Sequence, residues 1–231
     1  MSDKSIKVFK SKIVIFAGHY GSGKTNVAVN CALQMRKDFD RVAIADLDIV
    51  NPYFRTKDAS DLLERHGVEV IVSEFAGTNL DAPAMPAEAY RMIDDPTLHS
   101  VIDVGGDDRG ALALGRYADA IKSCDYEMYF ICNKFRPMTR TPEDAYEAMK
   151  EIETAASIPF TGIIDNPNLG SDTTAEDILS SADYSAELAE ISGLPLIFTA
   201  VRRDLADKIT GTPVFPIDII VSQTWNRTEN V

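Results

Sequence analysis

Positive charge is scarce in this chain. It holds 23 lysines and arginines against 36 aspartates and glutamates, a net charge of −13 at pH 7. So acidic a protein gains little from counterion release on a polyphosphate duplex, which excludes a broad nucleic-acid surface and leaves only a local basic patch. Long apolar runs are missing too. The opening MSDKSIKVFKSK has no hydrophobic signal core, and nowhere do about 18 apolar residues follow one another. A cytoplasmic location is expected. The closing PVFPIDIIVSQTWNRTENV carries two prolines and few charges, which disfavours a basic amphipathic membrane anchor. Cysteine is rare: Cys31, Cys124 and Cys132 stand in apolar segments with no CxxC or CxC pair. They are expected to be reduced, buried thiols, with no metal or redox role.

What is present is a core. Of 231 residues, 45% are hydrophobic, enough to bury a substantial interior and to suit one large domain. Short apolar runs rich in β-branched and aromatic residues recur at 12–17, 41–46, 68–72, 100–104, 127–132, 160–165 and 195–200. They show little polar alternation, the pattern of strands covered on both sheet faces. Helical patterns lie between them. TNVAVNCALQMRK places Ala28, Cys31, Ala32 and Met35 on one stripe, and TPEDAYEAMKEIETAAS opens with Thr141 as cap and Pro142 in the first turn. Strand–helix alternation predicts an α/β architecture: a mostly parallel twisted sheet with helices on both faces. A single domain over 1–231 is expected, with its core at about 12–208 and a polar tail at about 222–231.

The stretch GHYGSGKT, residues 18–25, follows the first strand and opens a helix. Its pattern, GxxxxGK[ST], is that of a phosphate-binding loop. Gly18, Gly21 and Gly23 let the backbone approach phosphate closely. Lys24 is placed to reach the β- and γ-phosphates, and the Thr25 hydroxyl to bind Mg²⁺. A metal needs a second anchor, and HSVIDVGG ends a strand with Asp103, three residues before Gly106. That carboxylate can hold magnesium, and the glycine amide can sense the γ-phosphate. ADLDIVNPYF supplies Asp46 and Asp48 after the second strand; one can align the attacking water while the other supports the metal.

Together, GHYGSGKT, ADLDIVNPYF and VIDVGGD resemble the MinD/ParA/CobB group of P-loop NTPases, the deviant-Walker-loop class. The resemblance spans about residues 12–208 and implies a three-layer α/β P-loop fold. It implies that Asp48 positions the hydrolytic water, and that Thr25 and Asp103 serve Mg²⁺; with Asp48 of the D-x-D pair, the expected metal residues are Thr25, Asp48 and Asp103. It implies that the asparagine after a late strand reads adenine, which points to Asn166 or to Asn133. The expected nucleotide-binding set is Gly18, Tyr20, Gly21, Ser22, Gly23, Lys24, Thr25, Asn26, Gly106 and Asn166, with Lys24 and Asp48 catalytic.

One position departs from the pattern. Members that pair across bound nucleotide usually begin the loop with lysine; here that place is His19, shorter and mostly neutral at cytosolic pH. Arg55 and Arg109 lie in two candidate switch segments, residues 46–56 and 103–110, and are the candidate replacements. The expected function is an Mg-dependent ATPase acting as a switch, with ATP or ADP bound and a homodimer or another protein as partner. The alternative is an ATP-dependent enzyme on a small molecule, of the CobB or dethiobiotin synthetase type, activating a carboxylate or transferring phosphate. A nucleotide-binding scaffold with negligible hydrolysis is a third, against which Asp48 and Asp103 count. The guanine pattern N-K-x-D is only half met by NKFR at 133–136, so adenine is favoured.

Overall fold

The computed structural model describes residues 9–47, 56–72, 87–106 and 108–221. Its strands are β1 Ile13–Ala17, β2 Val42–Leu47, β3 Val68–Val72, β4 His99–Val104, β5 Tyr126–Cys132, β6 Gly162–Asp165, β7 Leu196–Arg202 and β8 Val214–Ile217. Its helices are α1 Lys24–Asp38, α2 Thr56–Arg65, α3 Ala87–Asp94, α4 Asp108–Gly115, α5 Ala118–Lys122, α6 Pro142–Ala156, α7 Ala175–Ser180 and α8 Ala182–Ser192. The strands form one sheet in the order β3-β2-β4-β1-β5-β6-β7-β8, and every neighbouring pair runs parallel. The expected parallel sheet with helices on both faces is borne out.

Chain direction decides which helix covers which face. Parallel crossovers are almost always right-handed, so a connection moving one way along the sheet lays its helix on one face and the reverse movement uses the other. Two connections, β1 to β2 and β2 to β3, move toward the β3 edge. Their helices α1 and α2 pack on one face, burying Val27, Cys31, Met35, Ala59 and Leu63 against Val14, Phe16 and Ile44. The later connections move the other way, and α3, α4, α5, α6 and α8 cover the opposite face with Met92, Leu114, Ile121, Met149 and Leu188.

That imbalance leaves the α1 face beyond β1 without a helix among the described residues, and aromatic side chains fill it. Phe9 meets Phe16, Tyr129, Phe198 and Phe215 edge-on at centroid distances of 5.6 to 6.2 Å, a favoured ring geometry. The segment after β8 completes the cover. Asn30 Nδ2 donates to Asp218 O at 2.8 Å, and the Asp218 amide donates to Asn30 Oδ1 at 2.9 Å. Asn26 does the same one turn earlier, donating to Val221 O at 2.9 Å and accepting from the Ile220 and Val221 amides.

β8 is the strand that the apolar pattern does not announce. Its sequence VFPI contains Pro216, and proline cannot donate to a sheet ladder, so it is tolerated at an edge; among the described residues β8 pairs with β7 alone. The start of α6 follows the sequence closely. Thr141 caps the Asp144 amide while Asp144 caps back, with Pro142 in the first turn. Cys31 and Cys132 are buried free thiols as expected, whereas Cys124 is only half-buried. The tail 222–231 lies outside the described residues.

Candidate functional site

The glycine-rich loop sits at the carboxyl end of β1, where chain order reverses: the chain leaves toward β2 on one side and later enters β5 on the other. Such switch points open a crevice between diverging loops. The five residues of β1 are wholly buried, so the loop rises from the middle of the core. Gly23 caps α1 in the left-handed conformation, φ 86°, and no side chain caps the helix. The first turn of α1 also holds no acid, whereas α6 begins with Glu143 and Asp144 and α7 with Glu176 and Asp177. The amino end of α1 therefore keeps its positive field and its amides for an outside anion.

Lys24 folds back under the loop. It is 3% exposed, and its Nζ donates to His19 O at 3.2 Å. One turn of chemistry lies beside it: Thr25 Oγ1 donates to Asp103 Oδ2 at 2.6 Å. Sheet register explains the meeting. Asp103 pairs with Phe16 on β1 and with Asp46 on β2, and directly paired residues of parallel neighbours share a face. Phe16 and Val101 pack on the α1 face, so Asp46 and Asp103 face the first turn of α1, both 3% exposed. Gly106 closes the other wall. A Cβ there would come within 2.6 Å of Tyr20 N and 3.0 Å of Lys24 Nζ, so the β4 loop touches the phosphate loop only because residue 106 has no side chain.

Three asparagines brace the loop from the far side. Asn166 Nδ2 donates to Ser22 O at 2.5 Å, and Asn168 Nδ2 donates to Asn166 Oδ1 at 2.5 Å and to Ala200 O at 2.9 Å. Asn133 Nδ2 donates to Asn168 O at 3.1 Å, and Asn133 Oδ1 accepts from the Phe135 amide at 3.0 Å. The ends of β5, β6 and β7 are thus tied to Ser22 through side-chain amides. Each end of the Asn166 amide makes one contact, and the residue is 2% exposed. The Ser22 hydroxyl is buried and has no hydrogen-bond partner among the described residues.

The remaining expected residues fall as follows. Gly18 backs onto Ile131 of β5, where a Cβ would overlap the Ile131 carbonyl. Tyr20 is 46% exposed at the outer tip of the loop. The His19 ring lies against its own loop, Nδ1 at 3.3 Å from Tyr20 O. Asn26 carries its side chain to residues 220–221 rather than to the loop mouth. Arg109 is exposed. Asp48 and Arg55 lie outside the described residues. Among the described residues no group of three or more His, Cys, Asp or Glu side chains is placed to hold a metal by itself, and no helix is long and apolar enough to cross a membrane.

Two residues near the site were not singled out by the sequence. Arg136 lies against Gly21; its signal was its place as fourth residue of NKFR. Asp165, fully buried at the end of β6, accepts from Ser181 Oγ at 2.9 Å. Burial pushes its carboxyl up to about 7, against the Ser181 hydroxyl and the charge of Lys134, which pull it down.

No protein-family model and no curated protein matches this chain. Solved structures do. Chloroplast FtsY from Physcomitrella patens superposes with a TM-score of 0.55 at 16% identity, over 84% of this chain and 59% of that one. FtsY from Mycoplasma mycoides gives a TM-score of 0.58 at 18% identity, over 84% and 60%. The signal recognition particle 54 kDa protein from Aeropyrum pernix K1, in complex with GDP, gives 0.53 at 18%, over 81% and 40%. The chain spans three fifths or less of the length of these proteins. At such identities the likeness is one of fold: the α/β P-loop NTPase architecture.

Proposed function

We propose that this chain binds a magnesium nucleoside triphosphate, ATP, on the 18–25 loop and hydrolyses it as a nucleotide-dependent switch. The observation that carries the reading is the Thr25–Asp103 contact of 2.6 Å beside Lys24, set at an uncapped and acid-free helix amino end. The donor set fits the group. Thr25 and Asp103 are hard oxygen ligands of the kind Mg²⁺ takes, and they would hold it; when bound, the ion offsets charge on the phosphates.

The chain's own residues do the rest by positioning and charge. The loop amides and Lys24 hold the β- and γ-phosphates and neutralise the negative charge that grows on the bridging oxygen. Asp48 aligns a water in line with the γ-phosphorus, an assignment that rests on the resemblance to the MinD/ParA/CobB group. Water adds to phosphorus, the bond to the bridging oxygen breaks, and ADP and inorganic phosphate leave. Gly106 ties the β4 loop to the phosphate loop, a route by which the γ-phosphate would order residues 103–110.

Two further readings have support. One solved structure of similar fold is a GDP complex, which favours a guanine nucleotide; against it, Arg136 stands where N-K-x-D has aspartate, and a guanidinium cannot accept from guanine's N–H groups. The ATP-dependent small-molecule enzyme is favoured by His19, whose ring stays on its own loop and does not supply a reaching cation. The test is the solution mass of Asp48→Ala with Mg-ATP and with Mg-ADP. The switch predicts a homodimer with ATP and a monomer with ADP. Equal masses, with ATP shown to bind, overturn ATP-driven self-association and favour the enzyme.

A further inference from the structure

The NKFR segment after β5 sends its two cations in opposite directions. Lys134 turns outward, its Nζ donating to Ser180 O at 2.6 Å and to Ser180 Oγ at 3.2 Å. Arg136 turns inward onto the phosphate loop. A Cβ built on Gly21 would stand 3.5 Å from Arg136 Nε, 3.6 Å from Cδ and 3.9 Å from Cζ. Gly21 itself is left-handed, φ 78°, a conformation that favours glycine, and the Arg136 side chain lies at van der Waals distance from where its Cβ would stand. Arg136 Nε is buried and has no hydrogen-bond partner among the described residues.

Such an arrangement is costly without an anion. Arginine does not lose its proton in proteins, and a buried donor left without an acceptor forfeits its hydration. The position of the guanidinium says where an acceptor belongs. β1 lies between β4 and β5. Lys24 Nζ stands on the β4 side, beside Gly106, and Arg136 arrives from the β5 side, beside Gly21. The loop therefore has a cation at each flank, with the open amino end of α1 between them.

We propose that Arg136 is a second phosphate-binding cation of this site, donating from its guanidinium to oxygens of the nucleotide's polyphosphate chain. This rests on the nucleotide reading above and extends it. The charge comes from the same chain, so the site holds two cations without a partner's help, although its loop begins with His19. It also gives the last residue of NKFR a task that aspartate could not perform: an acceptor beside phosphate would repel it, whereas a fork of donors suits it.

The test titrates Mg-ATP and inorganic tripolyphosphate into the full chain and into Arg136→Met and Arg136→Lys. Methionine keeps an apolar stem on Gly21 and removes the charge. The expected result is that Arg136→Met binds both probes about 10- to 100-fold more weakly, with Arg136→Lys between it and the parent. Binding of both probes at the parent level overturns the proposal. So does loss confined to Mg-ATP, which would place Arg136 on the base. A Lys variant no better than Met, together with a lowered apo melting temperature, would mark a packing role and also overturn it. If the parent itself binds neither probe, the nucleotide reading falls first and separately.

Discussion

Gly23 satisfies two demands at once. Its φ of 86° favours glycine, and a Cβ there would overlap Asn166 Nδ2, the atom that holds Ser22 O. Gly23→Ala therefore forces a left-handed residue and displaces the asparagine brace together. The expected loss is about 1–3 kcal/mol of stability with a marked fall in nucleotide affinity; denaturant unfolding and titration read the two separately. An alanine variant as stable and as tight-binding as the parent would show that the loop conformation is not needed. Residues of this kind were legible in the sequence because backbone demands are written there directly, as glycine at fixed offsets before lysine and threonine. Asn166 was legible as a candidate but not in its observed place. Its contact lies 144 positions away at Ser22, and the sequence does not say whether an amide will face a base or a backbone carbonyl.

Among the elements, seven strands stood out because buried parallel strands are continuous apolar runs, and β8 did not because Pro216 masks it. The same burial that makes strands legible leaves a charge inside one. Asp165 ends β6 with no exposed surface. Ser181, Cys132, Tyr184 and Lys134 are the polar and titratable groups around it. Its carboxyl is raised from 3.8 to about 7, chiefly by burial. The folded state thus holds this proton more tightly than the unfolded chain does. The stability it contributes is complete below about pH 4 and is lost as pH rises through about 7. Asp165→Asn keeps an acceptor for Ser181 and removes the titration. Relative to the parent, the variant should gain on the order of 2 kcal/mol between about pH 5 and about pH 8, measured by chemical denaturation at the two values. A parallel pH dependence in both proteins would remove Asp165 as the source.

For the whole molecule, the handedness of crossovers accounts for the division of helices between faces, and with it for the use of the carboxyl-terminal segment. Where no helix among the described residues reaches the α1 face beyond β1, residues 218–221 are fastened to Asn26 and Asn30 and the Phe9 cluster fills the gap. Asn26 was expected among the nucleotide-binding residues. A helix turns about 100° per residue, and that turn carries residue 26 away from the loop mouth toward the segment it clasps. Asp103 behaves in the opposite way: parallel register puts it beside Asp46, and Thr25 Oγ1 donates to it.

The central claim, that the 18–25 loop is a working triphosphate site, is met most directly by calorimetric titration of Mg-ATP into the parent and into Lys24→Ala. Saturable one-to-one binding by the parent is predicted, weakened at least about 100-fold in the variant, since a charged partner of the phosphates is lost. Equal affinity in the two proteins, or no binding of Mg-ATP by the parent, would contradict it.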